Sequence, residues 1–301
     1  MTTEEVFATG FSFPEGPAFD REGNLWIVEL ANRRVTRIDP NGKWEVVAEM
    51  GGSPNGLAFG PDGNGYVCNS GGRWAPEVST GNQFGPGDGP GLIQRLYPDS
   101  GHFETFIAEI DGVLLNSPND LCFDPEGGFY FTDPVWPDFD DPSSRDNLAP
   151  GSICYSTIDG DARRLHTGMA YPNGLGVTED GSTLLVCESG TSKILAFPIE
   201  GQGRIGEPRD FAFLAPGAVP DGMCFDSEGR IICAGHGTSR LFVFASGGGE
   251  ATETIEMEDK DVTNVCFGGP GFSTMHVTES DSGRVVTVEW KAPGMVLFPD
   301  R

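Results

Sequence analysis

Six similar segments of the chain each begin with one carboxylate or amide side chain at an equivalent point. We call these the head residues, and they are Glu15, Asn55, Asn119, Asn173, Asp221 and Asn264. Carboxylate and amide oxygens are hard donors, which suit Ca²⁺ best, Mg²⁺ or Mn²⁺ less well and Zn²⁺ poorly. The head residues therefore predict a divalent-metal site if the fold brings them together.

The contributions expected from the head residues differ. Glu15 and Asp221 would supply two negative charges, whereas Asn119 and Asn173 would supply neutral amide oxygens. Asn and Asp near strand ends often only cap turns or bond the backbone. That structural role is the favoured interpretation for Asn55 and Asn264, whose side chains carry no charge.

The segments that carry the head residues predict β-hairpins. Each has a short apolar run, a glycine-containing turn and a second β-rich run, as in "SPNDLCFDPEGGFYFTD". Such a turn needs a residue with positive φ. The head residues are 40, 64, 54, 48 and 43 positions apart, and four short strands with their loops need roughly 40 positions. Six repeats of four antiparallel strands predict an all-β, six-bladed β-propeller.

The two ends of the chain together make up one further repeat. The 37 residues after Asn264 and the 15 residues up to Glu15 add to about one period. An unclosed ring would expose a strand edge and an unburied blade face. We therefore expect the segments "EEVFATGF" and "RVVTVEW" to share the closing blade, and residues 1–301 to form a single domain.

Polar residues also end the second strand of each hairpin, at the same mouth of the predicted channel. They are Glu29, Asn69, Asp133, Glu188, His236 after Gly235, and Glu279. The four carboxylates could form hydrogen bonds with the residues that hold a metal ion, or they could be solvated charges at the rim. The second interpretation is favoured for each residue taken alone.

Composition limits the partners. With 19 basic and 45 acidic residues the formal charge is -26, which repels phosphate backbones and anionic lipid. We expect a small-molecule substrate, and no nucleic acid or membrane partner. No apolar stretch is long enough for a membrane span and no secretory signal is visible, so a cytoplasmic location is predicted. The cysteines at repeat positions, Cys122, Cys224 and Cys266, are interpreted as small buried thiols.

Two stretches exceed the repeat length and are rich in glycine and proline. They cover residues 70–92 and 134–150 and contain Trp74, Trp136 and Phe139. Long loops in compact folds often form binding walls. An ordinary surface excursion is an equally good interpretation.

The head segments resemble the senescence marker protein, gluconolactonase and luciferin-regenerating enzyme family of six-bladed propellers. The motifs that carry the resemblance are "FPEGPAFD", "LNSPNDLCFDPEGGFYFTDP", "YPNGLGVTEDG" and "VPDGMCFDSEG", in this order. The resemblance implies that Glu15, Asn173 and Asp221 hold a divalent ion, usually calcium, with Asn119 touching metal or substrate. It also implies that Asp221 serves as general base in the hydrolysis of sugar lactones.

The chain departs from the family at two places. Animal members have an arginine two residues before the Asn of the third motif, where this chain has Ser117. The bulky, acidic loop 134–150 favours a larger or more apolar lactone than gluconolactone. No G-x-S-x-G elbow is present, so a serine nucleophile is disfavoured.

Three other functions remain open from the sequence. The same metal could serve the hydrolysis of phosphotriesters or other esters, or a non-hydrolytic isomerase or lyase reaction. The third is a non-catalytic, calcium-binding propeller. Oligomeric state is not predicted.

Overall fold

The computed structural model describes residues 4–72, 89–136, 148–215 and 217–298. The strands of the first half are β1 (Glu4–Thr9), β2 (Pro14–Phe19), β3 (Leu25–Glu29), β4 (Arg34–Ile38), β5 (Trp44–Glu49), β6 (Pro54–Phe59), β7 (Gly65–Asn69), β8 (Leu92–Tyr97), β9 (His102–Ile107), β10 (Glu109–Ile110), β11 (Val113–Leu114), β12 (Leu121–Phe123), β13 (Phe129–Asp133) and β14 (Pro150–Ser156).

The remaining strands are β15 (Ala162–Ala170), β16 (Pro172–Val177), β17 (Thr183–Glu188), β18 (Lys193–Gly201), β19 (Arg204–Ile205), β20 (Arg209–Phe213), β21 (Val219–Phe225), β22 (Ile231–His236), β23 (Arg240–Phe244), β24 (Gly249–Glu250), β25 (Glu253–Glu256), β26 (Val262–Gly268), β27 (Thr274–Glu279) and β28 (Arg284–Glu289). Two short 3₁₀ turns cover Ser189–Thr191 and Pro270–Phe272. No described segment forms a helix with the length and apolar character that a bilayer crossing requires.

Six blades of antiparallel strands surround one axis, as predicted. Their strand orders, from the axis outward, are β2-β3-β4-β5, β6-β7-β8-β9, β12-β13-β14-β15, β16-β17-β18-β20, β21-β22-β23-β25 and β26-β27-β28-β1. Neighbouring innermost strands contact one another, and the ring returns from β26 to β2. The extension of one domain over all of residues 1–301 stays a prediction.

Blade 4 differs from the simple four-stranded plan. Its outer strand β20 also pairs in parallel with β24, a short strand from the loop of blade 5. The backbone edge of β20 is therefore partly covered by the next blade, which protects it from pairing with other chains. A separate two-strand hairpin, β10–β11, lies between blades 2 and 3.

The two chain ends share blade 6, as expected. Strand β1 pairs with β28 from Glu4 opposite Val288 to Thr9 opposite Arg284. Arg284 also donates to the carboxylates of Glu4, at 2.9 Å, and Glu279. Closure therefore combines strand pairing with an ion pair between the first and last strands.

The hairpin turns have the predicted backbone. Glycines with φ between 70° and 84° occupy the equivalent point of five turns, Gly23, Gly63, Gly127, Gly181 and Gly229. A residue with a Cβ is disfavoured in this region. The repeated Glu/Asp-Gly pattern is thus explained by turn geometry.

The hydrophobic core is divided among the blade junctions. Among the described residues six buried clusters are present, and each joins two neighbouring blades. In one of them Trp26 and Val28 of blade 1 pack against Leu57 and Val67 of blade 2. Stability therefore depends on the ring being complete, because a blade alone leaves both faces exposed.

The carboxylates that end the second strands are buried, so the interpretation as solvated rim charges is wrong. Glu29, Asp133 and Glu279 have no exposed surface. In five of the six blades, the residue that ends the second strand accepts backbone N–H groups from the loop that enters the innermost strand of the same blade. The donors are Ser12 for Glu29, Ser53 for Asn69, Asn116 and Ser117 for Asp133, Ala170 for Glu188, and Asp259 for Glu279.

Glu29 provides a test of this role. It accepts the Ser12 N–H at 3.0 Å, the Thr36 hydroxyl at 2.6 Å and the Arg34 guanidinium at 2.7 Å. Glu29→Ala leaves these donors buried without an acceptor, so we expect a loss of about 3 kcal/mol in the free energy of unfolding, measured in urea.

A matched control removes an exposed carboxylate from the same blade. Glu45 is 61% exposed and pairs with Arg37. Glu45→Ala should cost less than about 1 kcal/mol. Equal losses in the two variants would contradict the structural role of Glu29.

Candidate functional site

Five of the six head residues lie at or next to the point where the innermost strand breaks register with the second strand. The ladders skip residues after Pro14–Glu15, Pro54, Pro172, Pro220 and Val262. Such bulges bend a strand and re-aim a side chain. In four of these five blades Pro immediately precedes the head residue, so the motif marks a bulge there and not only a turn.

The small residue after the head allows the innermost strands to approach one another. A Cβ on Gly16 would lie 2.8 Å from the Leu57 nitrogen, and one on Gly174 would lie 2.4 Å from the Asp221 carbonyl oxygen. On Gly56 it would meet the Asn119 carbonyl oxygen at 2.6 Å. The glycines therefore let each strand pack against the backbone of the next blade, which draws the heads to the axis.

The structure brings the two acidic head residues together with an acid that sequence reasoning did not assign. The Asn264 amide donates to Glu15 Oε2 at 3.1 Å and also hydrogen-bonds to Asp120. Asp221 is close enough to Glu15 and Asp120 for both charges to act on it, and it hydrogen-bonds to the Asn173 side chain. We call Glu15, Asp120, Asn173, Asp221 and Asn264 the axial cluster.

The axial cluster concentrates negative charge out of water. Burial raises the pKa of Glu15 from 4.5 to about 8, and the Asp120 carboxylate adds to the rise. Burial raises the pKa of Asp120 to about 6. Burial and then the charge of Glu15 raise the pKa of Asp221 well above its ordinary value. Buried carboxylates of this kind need a proton or a cation.

Asn119 supplies the observation that decides whether a cation fits. Its side-chain oxygen Oδ1 is buried and has no hydrogen-bond partner, although buried acceptors are nearly always satisfied. Within the described ranges, no three His, Cys, Asp or Glu side chains are placed to hold a metal. The candidate set has two carboxylates and two amides, and this all-oxygen donor set fits a hard divalent ion.

The other two head residues are already engaged by protein groups. The Asn55 amide donates to the Asn119 carbonyl oxygen at 3.2 Å, so its expected role in bonding the backbone is confirmed. The side-chain oxygen of Asn264 accepts the Val265 N–H at 2.8 Å, and the side-chain nitrogen of Asn264 donates to Glu15. Both residues therefore position their neighbours.

Asp120 occupies the position that is glycine in four other blades. Gly16, Gly56, Gly174 and Gly222 follow the heads of blades 1, 2, 4 and 5. The aspartate at this point adds a third carboxylate to the axis, and its Oδ1 accepts the Leu121 N–H at 2.9 Å. The sequence could have identified Asp120 as a site residue, because it is acidic at a position that is glycine in four of the other five segments.

Aromatic residues from blades 3 and 4 lie beside the axial cluster. Tyr171 lies two residues before Asn173 in the chain. Burial raises the pKa of Tyr171 well above its ordinary value, and the nearby charges of Asp221 and Glu15 add to the rise. Tyr171 has a left-handed φ of 59°. The rings of Tyr171 and Trp136 pack edge to face with centroids 5.4 Å apart, so the two residues form an aromatic wall. Trp74 and Phe139 lie outside the described residues.

Ser117 and His236 take structural positions. The Ser117 hydroxyl donates to the Pro134 carbonyl oxygen at 2.5 Å and is buried. His236 Nδ1 lies 3.8 Å from Asp261 Oδ1, and burial lowers the pKa of its imidazole. Neither contact involves the axial cluster.

The chain matches a known protein family over most of its length. A family model described as SMP-30/Gluconolactonase/LRE-like region matches residues 13–281, which include all six head residues. The chain belongs to this family.

Relatives within the family carry different enzyme names. A diisopropyl-fluorophosphatase of Loligo vulgaris is 28% identical and the match covers 93% of this chain and 90% of that protein. A gluconolactonase of Zymomonas mobilis is 25% identical over 97% of this chain and 83% of that protein. The solved structure of a Xanthomonas campestris gluconolactonase superposes with a TM-score of 0.77 at 25% identity, covering 96% and 89% of the two chains.

The close approach of the innermost strands can be tested at Gly174. Gly174→Ala places a Cβ 2.4 Å from the Asp221 carbonyl oxygen, so the strands must separate. We expect a loss of roughly 1–3 kcal/mol in the free energy of unfolding. Gly247→Ala is the control, because a Cβ there has nothing within 4 Å. Similar urea midpoints for both variants would contradict the packing argument.

The burial of Glu15 predicts a pH dependence of stability in the metal-free protein. Between the unfolded pKa of 4.5 and the folded pKa of about 8 the folded protein retains a proton that the unfolded chain has lost. The free energy of unfolding therefore falls as pH rises through this window.

Urea titrations in EDTA at several pH values measure this slope. Glu15→Gln removes the titrating group, so the slope should become shallower, while Glu45→Gln, at an exposed site, should leave it unchanged. An identical slope in Glu15→Gln and the unchanged protein would refute the assignment.

Proposed function

We propose that this protein is a divalent-metal-dependent hydrolase that opens the ring of a lactone. The observation that carries the proposal is the axial cluster of buried carboxylates. Asn119, which precedes Asp120 of this cluster in the chain, has a buried side-chain oxygen Oδ1 without a hydrogen-bond partner. The gluconolactonase names of two relatives with matches over most of the chain support lactone hydrolysis.

Glu15, Asn119, Asn173 and Asp221 would hold the ion, and Ca²⁺ fits their oxygens better than Mg²⁺ or Mn²⁺. Calcium accepts many oxygen donors in irregular arrangements, whereas Mg²⁺ requires near-ideal octahedral geometry. A bound divalent ion supplies positive charge that polarises the lactone carbonyl and stabilises the oxyanion. The binding set leaves Asn119 able to contact substrate as well.

Asp221 is the proposed general base. Its carboxylate accepts a proton from the attacking water as the water oxygen bonds to the carbonyl carbon. When the ring C–O bond breaks, the same carboxyl returns the proton to the leaving alkoxide, which gives the hydroxy acid. Burial raises the pKa of Asp221 in the metal-free protein, whereas a bound cation would lower it and would also acidify the attacking water. The hydrogen bond with Asn173 orients the Asp221 carboxylate.

The surroundings of the axial cluster favour a substrate with an apolar part. Tyr171 and Trp136 provide an aromatic wall, and the Ser117 hydroxyl is engaged by Pro134, so it is not directed to sugar hydroxyl groups. A lactone larger or more apolar than gluconolactone fits these contacts. The small-molecule partner and the cytoplasmic location remain parts of the proposal.

A second candidate is hydrolysis of phosphotriesters or phosphofluoridates at the same site. The observation in its favour is the 28% identity to the diisopropyl-fluorophosphatase, compared with 25% for the Zymomonas gluconolactonase. The same cation would polarise a P=O group as it does a carbonyl, and loops set the substrate. Assay of both substrate classes distinguishes the candidates.

The test is a pH-stat assay of sugar, aliphatic and aromatic lactones. Activity should disappear with EDTA and return with CaCl₂. Asp221→Asn should lower kcat/KM by about 100-fold or more, which is the usual contribution of general acid–base catalysis. Asp210→Asn, which alters an exposed pair with Lys193, is the matched control and should be unchanged.

Other results would contradict the proposal in different ways. Lactone hydrolysis that persists in EDTA would refute the metal dependence. Hydrolysis of diisopropyl fluorophosphate without any lactone hydrolysis would favour the second candidate. Calcium binding by calorimetry with neither activity would favour a non-catalytic calcium-binding propeller.

A further inference from the structure

The propeller axis contains a second compartment beyond the head residues. A cavity of about 310 Å³ extends along the axis on the side of the innermost strands away from the heads. All six innermost strands line it, each through the last apolar residue of the segment, Phe19, Phe59, Phe123, Val177, Phe225 and Phe267. This volume is comparable with that of small-molecule sites, which begin at about 300 Å³.

The head residues separate this cavity from the mouth of the propeller. The strands approach so closely at Gly16, Gly56 and Gly174 that a Cβ would lie within 2.9 Å of the neighbouring backbone. Asp120 and Asn264 are the two members of the axial cluster that also line the cavity. Asp120 and Asn264 are therefore the points at which the axial cluster and the cavity meet.

The C-terminal segment closes the far end. Met295 donates its N–H to the Phe225 carbonyl oxygen at 2.9 Å, and Ser227 donates to the Pro293 carbonyl oxygen at 2.8 Å. The segment Met295–Phe298 contributes to the lining, while Val296 and Leu297 remain 46% and 55% exposed. A partly exposed apolar segment therefore borders the cavity at this end.

The lining chemistry restricts the ligand. The charged lining residues are Asp20 and Asp120, and no basic side chain lines the described cavity. Bound waters need two to four polar partners each, and a space of this size has few such partners. An anionic ligand would meet only negative charge, whereas a hydrogen-bond donor would find an acceptor in Asp120.

We propose that the axial cavity binds a small apolar molecule that carries one hydrogen-bond donor, an alcohol or amine on a body of about ten carbon atoms. The aromatic walls enclose the apolar body, and the donor bonds to the Asp120 carboxylate. That carboxylate accepts the Leu121 N–H and an Asn264 hydrogen bond, which leaves acceptor positions open, since a carboxylate has about four. This site is separate from the proposed metal site and does not depend on lactonase activity.

The probe is 1-aminoanthracene, an aromatic amine whose fluorescence rises in apolar surroundings. Titration into the full-length protein should give one saturable site, both in EDTA and in CaCl₂. Decanol and decylamine should displace the probe, whereas decanoate, an anion of the same length, should be at least about tenfold weaker. No saturable binding would overturn the proposal, and equal displacement by decanoate would overturn the assigned ligand class.

Cys122 allows the cavity to be filled. Its half-buried side chain lines the space, so Cys122→Phe should weaken probe binding by at least about tenfold. Cys122→Ser keeps the space open and should bind within about twofold of the unchanged protein. Val113→Phe adds the same ring at a 57% exposed position outside the cavity and should leave binding unchanged.

Folding of each variant is verified by near-UV circular dichroism and Tm. If Cys122→Phe fails to fold, Ala58→Leu fills the same cavity from blade 2 and should give the same loss of binding. Full-strength binding to a folded, filled variant would show that the probe lies elsewhere, which would overturn the proposal. Lactone activity is not a readout, so failure of this inference is distinct from failure of the proposed function.

Discussion

The structure depends on the close approach of six innermost strands around one axis. Glycines after the heads permit that approach, since a Cβ at Gly174 would lie 2.4 Å from the Asp221 carbonyl oxygen. The same approach places Glu15 and Asp221 near one another and out of water, with the partly buried Asp120 close to both. Packing and electrostatics therefore oppose each other at the axis, and a bound cation would offset the repulsion by pairing with the buried charges.

The rest of the propeller holds the heads in place. The second-strand carboxylates bind the backbone of the loops that enter the innermost strands, as Glu29 does with Ser12 and Asp133 does with Ser117. These loops are thereby fixed just before the bulges that aim the heads. Closure by β1 and β28 completes the last blade junction, and without it the apolar faces of two blades would be exposed.

The axis combines two environments of opposite character. At one level, carboxylates and amides offer oxygen atoms for a cation and for proton transfer. Beyond them, Phe19, Phe59 and equivalent residues enclose an apolar space. Asp120 lies at the boundary of both, so a ligand bonded to it from the cavity would act on the electrostatics of the axial cluster. Two relatives that match most of the chain are named diisopropyl-fluorophosphatase and gluconolactonase, so similar sequences carry names of different reactions.

The sequence by itself determined the repeat, and through it the fold. Period, turn glycines and the split final repeat predicted six blades, hairpins with positive φ at residues such as Gly127, and a shared closing blade, because each is a local or periodic property. The same pattern predicted Glu15, Asn119, Asn173 and Asp221 as candidate metal ligands, since they occupy one equivalent point of the repeat. Only the tertiary structure decided the burial of Glu29, the position of Asp120, the β20–β24 pairing and the axial cavity. These depend on distances between blades and on water exclusion, which no single segment encodes.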